Sequence, residues 1–273
     1  MKRIVFILQN PYDDSEAEEY KDYLAKEGFP YELVIRNDFC APEYEDLICT
    51  DSLEVYRALK DIGEDAVVCV KDAKTAGSFP GAKYVTTDAF DTEAEYYERV
   101  WRRFRNLPWF IASTERLILR ETVEEDVDTF YELYKDPEMT RYTAALYEDP
   151  REEKKYVTEY RNKVYAVSGF GIWTVLLKDS EKIIGRAGLI SRAGFEGVEV
   201  GFVIGTAYQG KGYATEAVKE CIEIAHKLFL SPVYALVMDG NEKSKRVCER
   251  CGFVKTGETK LSGEQYCIYT FFE

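Results

Sequence analysis

Short apolar runs alternate along the chain with segments whose apolar residues recur at helical spacing, and this rhythm occurs twice. Residues 4–8 form an apolar run, residues 16–26 a helix-like stretch, and residues 31–35 a second apolar run. Residues 47–50 lead into Asp51 and Ser52, a good helix start, with Leu53, Tyr56 and Leu59 behind it. Residues 66–70 and 83–85 supply further strands, and residues 92–105 a last helix. Strands that alternate with helices imply a parallel sheet, so residues 1–108 read as a small Rossmann-like α/β domain. The basic cluster Arg102, Arg103 and Arg105 suits a solvated helix end. Asn106, Leu107, Pro108 and Trp109 then read as a linker.

A second rhythm occupies residues 113–273. Residues 115–121 read as a strand, and Thr122 with Glu125 forms a capping-box pattern that opens a helix over 123–134. Residues 149–164 give a second helix. Residues 171–178 and 182–190 form a hairpin across Asp179, Ser180 and Glu181. Val198, Val200, Phe202 and Ile204 alternate with Glu199, Gly201 and Val203 as a strand does. Tyr213, Ala214, Ala217, Val218, Cys221, Ile222, Ala225 and Phe229 then fall at helical spacing. Residues 233–237 are another apolar strand, and residues 241–251 a short helix closed by Gly252.

Between the strand at 198–204 and the long helix lies Gln209, Gly210, Lys211, Gly212, Tyr213 and Ala214. A helix N-terminus gathers free N–H groups and partial positive charge, which attract phosphate. Gly210 and Gly212 let the backbone approach a ligand and adopt turn conformations that a Cβ would penalise. The loop matches neither Gly-x4-Gly-Lys-Ser/Thr nor Gly-x-Gly-x-x-Gly. Taken alone it serves equally well as a tight connection. With its flanking segments it resembles the Gln/Arg-x-x-Gly-x-Gly/Ala signature of the GNAT acyltransferase superfamily, over roughly residue 114 to the C-terminus. Leu117, Leu119 and Arg120, followed by an acidic helix start, are similar to the branch that includes the ribosomal-protein alanine acetyltransferases.

The resemblance implies a GNAT α/β domain with a mixed sheet at 113–273. It further implies an N-acyltransferase that passes acetyl from acetyl-CoA to a primary amine by direct attack. In that reading the backbone of Gln209 to Ala214 holds the pyrophosphate, with Lys211 adding charge or staying solvated. Phe202, Val203 and Ile204 pair with the pantetheine arm. Asn241 contacts that arm and Ser244 hydrogen-bonds the departing thiolate, although both also suit helix caps. Glu199, in an apolar setting between Val198 and Val200, is the general base, directly or through water; the other reading is an outward-facing strand residue. The family's tyrosine acid, seven residues after the asparagine, is Cys248 here. Ser244 or Cys248 then substitutes, or the thiolate leaves unaided, which its low basicity permits.

Composition narrows the partners. A net charge of −14 argues against nucleic acid, and it suits either a cationic acceptor or simple solubility. With 46% hydrophobic residues a packed core is affordable, and no apolar run reaches the roughly 18 residues of a membrane span. The basic start followed by a short apolar run reads as a buried strand, since no cleavage site follows. Seven scattered cysteines imply a reducing, cytoplasmic setting without disulfides. Cys248 and Cys251 lack a second pair, and the single histidine, His226, lies on the preceding helix, so no metal is expected.

The acceptor is an amine-bearing small molecule or a protein N-terminus, and the chain a monomer or homodimer. Trp173, Tyr142, Tyr147 and Tyr165 line an acceptor cleft or pack as core. Asp51, at a strand end, is a ligand contact or nucleophile, or an ordinary cap. The first domain's element order resembles Rossmann-like hydrolases and response regulators, yet the Asp-x-Asp of the phosphatases is absent after its first strand. A second functional reading is a non-catalytic acyl-CoA-binding regulatory module.

Overall fold

In β1 (Arg3–Ile7) the pleat sends Ile4 and Phe6 to one side of a sheet and Val5 and Ile7 to the other. The computed structural model describes all residues except 11, 40, 72–78 and 273, so Cys40 lies outside the described residues. The chain divides into two compact units, Met1–Trp109 and Phe110–Glu273.

The first unit contains β1, α1 (Asp14–Lys26), β2 (Glu32–Arg36), β3 (Asp46–Thr50), α2 (Leu53–Asp61), β4 (Val67–Val70), β5 (Val85–Thr86) and α3 (Ala94–Phe104). The five strands are parallel in the order β2-β1-β3-β4-β5, the doubly wound arrangement. Tyr20 and Leu24 of α1 and Tyr97 and Trp101 of α3 cover the Ile4–Phe6 face. Val55, Tyr56 and Leu59 of α2 cover the other. Ser52 caps α2 by accepting from Val55 N. Asp51 instead accepts the backbone N–H groups of Gln9 (2.7 Å) and Asn10 (2.8 Å), tying the loop after β1 to the end of β3. Both of its oxygens are thereby engaged in holding the chain.

The second unit contains β6 (Phe110–Ser113), β7 (Leu117–Arg120), α4 (Val127–Tyr134), α5 (Pro137–Thr140), α6 (Pro150–Tyr160) and α7 (Ala166–Ser168), which continues α6 through a wider turn at Arg161–Tyr165. It continues with β8 (Ile172–Leu177), β9 (Ile183–Ile190), β10 (Val198–Ile204), α8 (Tyr213–Lys227), β11 (Val233–Met238), α9 (Glu242–Arg250), β12 (Phe253–Leu261) and β13 (Glu264–Phe271). Eight strands form one mixed sheet, β12-β13-β11-β10-β9-β8-β7-β6. Within it β10 and β11 run parallel because α8 carries the chain across between them, and the other pairs are antiparallel. Ala217, Val218, Cys221 and Ala225 of α8 pack into the main core with Val198, Val200 and Ile204 of β10.

Two strand segments went unread in the sequence, and one expectation shifts. The segment after the linker is strand β6, paired with β7, and the polar C-terminal stretch is the β12–β13 hairpin. The capping role expected of Thr122 and Glu125 falls one residue later, because buried Asp126 accepts from Val123 N (3.1 Å) and binds Arg120 through both oxygens. Thr122 meets Thr174 instead, 3.0 Å away. The helix therefore begins as a single tight turn at Glu124–Asp126 before α4.

At Gly185 of β9 an added Cβ would collide with the carbonyl oxygen of Val203 on β10. Gly185→Ala is expected to lower unfolding free energy by about 1–3 kcal/mol through this overpacking, as measured by urea denaturation.

Candidate active site

Strands β10 and β11 pair only at Val198–Val233 and Glu199–Tyr234, and then part. Gly205 N donates to Ile184 O on the β9 side, and Val198 N donates to Pro232 O on the β11 side. Strand alternation therefore aims the amides of Phe202 and Ile204 toward β11, beyond the point where pairing ends. A cavity of about 440 Å³ fills this opening. Val200, Gly201, Phe202 and Val203 line one side of it, and Leu236 and Met238 the other. Such backbone groups need a partner, so the open seam suits an extended ligand that supplies hydrogen-bonding groups along its length.

At the C-terminal end of β10 the chain passes through the glycine loop into α8. Gly210 (φ 76°) and Gly212 (φ 87°) both hold left-handed conformations. Gly212 is the N-cap of α8, and no side chain caps it. The first N–H groups of α8 thus point outward at an exposed, positively polarised helix end. Gln209 reaches back to Ile204 O (2.9 Å) and accepts from Lys243 Nζ (3.0 Å), fixing the loop between β10 and α9. Lys211 is exposed, with its ammonium 5.7 Å from the Tyr208 ring centroid. The open seam, the uncapped helix end and the two left-handed glycines fit the pantetheine and pyrophosphate of a coenzyme A.

Sequence reasoning missed the strap that holds this loop. Arg116 donates to Lys211 O (3.0 Å), lies 4.6 Å from the Tyr213 ring and pairs with Glu216 at 2.6 Å. Glu216 also accepts from Thr114 Oγ1 (2.6 Å) and Arg116 N (2.9 Å). These groups are a hundred residues apart in sequence, so no local pattern marks them.

Glu199 is buried on the face opposite Val198 and Val200, because successive strand residues point to opposite sides. Its environment is not the apolar one expected from those neighbours. Arg192 Nε donates to its Oε2 at 2.5 Å, and both residues line the cavity. Asn241 Oδ1 accepts from Ser244 N (3.1 Å), capping α9, and both residues also line the cavity. Cys248 is fully buried in the main core, where desolvation pushes its thiol up to about 12. Cys251 packs in the same cluster, and His226 sits in the last turn of α8, 5.7 Å from the Phe271 ring. Among the described residues no group of histidine, cysteine, aspartate or glutamate could hold a metal, and no helix is long and apolar enough to cross a membrane. Of the four aromatics proposed for an acceptor cleft, Tyr142 and Tyr165 line the cavity, while Trp173 is core and Tyr147 is exposed.

The acetyltransferase (GNAT) domain family model matches residues 116–254, just over half of the chain, and the chain belongs to that family. It is 27% identical over 164 residues to an uncharacterized N-acetyltransferase, p20, of Bacillus licheniformis, covering 58% of this chain and 92% of that protein. Among solved structures, an acetyltransferase from Agrobacterium tumefaciens is 25% identical with a TM-score of 0.51, covering 59% of this chain and 94% of the other. A ribosomal-protein-S5-alanine acetyltransferase from Vibrio fischeri shares the fold at 24% identity and a TM-score of 0.51, covering 58% and 94%. The chain is thus an acetyltransferase of a family that uses acetyl-CoA and acts on amine acceptors.

Burial would raise the Glu216 carboxyl, but hydrogen bonds from Thr114 and Arg116 hold it below the ordinary glutamate range. A lowered folded-state pKa stabilises the fold above that range, and the gain disappears as pH falls through it. Glu216→Gln is expected to cost about 1–3 kcal/mol at pH 7, with the difference from wild type shrinking in acid. Urea denaturation of both proteins across pH checks this.

Proposed function

We propose that the second unit transfers acetyl from acetyl-CoA to a primary amine by direct attack. The observation that carries this reading is the open seam between β10 and β11, where strand pairing ends at Glu199–Tyr234 beside a cavity that also contains a carboxylate. Acetyl-CoA supplies the acetyl group as a thioester, already activated toward an amine. Phe202, Val203 and Ile204 line and bind the coenzyme arm, with the amides of Phe202 and Ile204 donating to it. The N-terminus of α8, with Gln209, Gly210, Lys211, Gly212, Tyr213 and Ala214, holds the pyrophosphate. Asn241 contacts the arm while capping α9.

Glu199 takes the proton of the attacking amine, directly or through water, and Arg192 fixes the carboxylate's orientation. Ser244, at the cavity wall, donates to the departing sulfur. Cys248 takes no part, because its thiol is enclosed in the core and its pKa is raised. The acceptor is the amine of a small molecule or of a protein N-terminus.

Calorimetry with acetyl-CoA, followed by thiol release with a panel of amines, tests the assignment. Wild type is expected to bind and turn over, and Glu199→Gln to bind comparably while kcat falls about 10²- to 10⁴-fold. Unchanged turnover in Glu199→Gln would remove the base from the mechanism. Binding without turnover of any amine would leave an acyl-CoA-binding module, and absence of binding would overturn the coenzyme site.

A further inference from the structure

The sheet face that carries Glu199 also carries a guanidinium with no carboxylate partner. Along β10 and β9 the facing pairs are Glu199–Ile190, Gly201–Gly188 and Val203–Arg186, so Arg186 and Glu199 share one face. Arg186 Nη2 donates to the Tyr134 hydroxyl at 2.7 Å, and the guanidinium lies 4.8 Å from the Phe130 ring centroid. Its Nε is enclosed without a hydrogen-bond partner. Among the described residues no acid stands within ion-pair distance of it. Glu153, whose charge it senses, uses one oxygen to accept from Tyr147 N (3.1 Å).

Arg186 and Arg192 both line the cavity, but their situations differ. Glu199 neutralises Arg192 at 2.5 Å, so among the described residues that line the cavity Arg186 is a cation without an ion-pair partner. The chain as a whole has a net charge of −14, which makes this local sign the reverse of the global one. A charge removed from water is costly unless it is paired, and a fork of N–H donors matches a carboxylate or phosphate. Tyr134, Tyr142, Tyr156 and Tyr160 surround the space with phenols, which add hydroxyls and apolar faces but no counter-charge.

We propose that the acceptor amine carries an oxyanion, a carboxylate or phosphate, which pairs with Arg186 while the amine sits at Glu199. This rests on the transferase reading above. Four residues of strand separate Val203, opposite Arg186, from Glu199, or about 13 Å of backbone. With both side chains reaching into the cavity, the amine and the oxyanion stand on the order of 10 Å apart. That span exceeds the reach of a single α-amino acid and matches a longer chain.

The test compares 8-aminooctanoate with 8-aminooctanamide, and 6-aminohexyl phosphate with 6-aminohexanol, as acceptors for the full chain. Wild type is expected to prefer an anionic member by about 10-fold or more in kcat/KM, expressed mainly in KM, and the favoured pair identifies carboxylate or phosphate. Arg186→Gln should collapse that ratio toward one, and Arg186→Lys should restore part of it. A purely structural arginine would lower both rates together and leave the ratio intact. Calorimetry with 8-acetamidooctanoate and with 6-acetamidohexyl phosphate, each against its neutral counterpart, reads the same preference without turnover. Failure of the transferase reading therefore remains distinguishable. Equal affinity of wild type for the charged and neutral members of both pairs would overturn the proposal, as would a preference that survives Arg186→Gln.

Discussion

Backbone N–H and C=O groups inside a protein must find partners, and the second unit is organised around a place where one strand's partner is withdrawn. Strand β10 keeps β9 from Glu199 to Ile204 but has β11 for only two residue pairs. The parallel crossover through α8 carries the chain from the end of β10 back to the start of β11. The same crossover sets the glycine loop and the bare N-terminus of α8 at the mouth of the seam. A single departure from regular pairing thus lies beside a helix end that no side chain caps. The strap from Arg116 to Lys211 and Glu216 ties the loop and the first turn of α8 to the segment before β7.

Charge is distributed unevenly over this frame. The chain is strongly acidic, yet the cavity wall presents one carboxylate and two guanidiniums. Pairing Glu199 with Arg192 at 2.5 Å satisfies two of the three. The third rests on aromatic faces and one phenol. Aromatic rings stabilise a cation by roughly 0.5–2 kcal/mol and supply no counter-charge. Long-range attraction by the acidic surface and short-range selection by the cavity can therefore act on different parts of one amine.

Much of the fold was legible because periodicity is a local property. The apolar alternation at 198–204 and the helical spacing behind it marked β10 and α8, and Gly210 and Gly212 marked the left-handed turn between them. The C-terminal hairpin escaped because edge strand β12 is largely solvent-facing and polar. Its two-residue turn at Ser262 and Gly263, both at positive φ, was the available signal. Strand β6 was hidden by its place beside the linker. The capping pair slipped by one residue, from Thr122 and Glu125 to Val123 and Asp126, because Asp126 is held by Arg120 and Thr174, a tertiary network that outweighs the local capping pattern. At the site, the loop and the strand positions were readable, but the neighbours of Glu199 were not. Arg192 comes from the loop after β9, and Arg186 was one more charge on a strand until the register put it on the same face.

Hydrogen exchange of the full chain with and without acetyl-CoA probes the open seam directly. The account predicts slowed exchange concentrated at the amides of Phe202 and Ile204 and in the first turn of α8, with little change along β8 or in the first unit. Slowing elsewhere that spares the seam and the α8 N-terminus would contradict it.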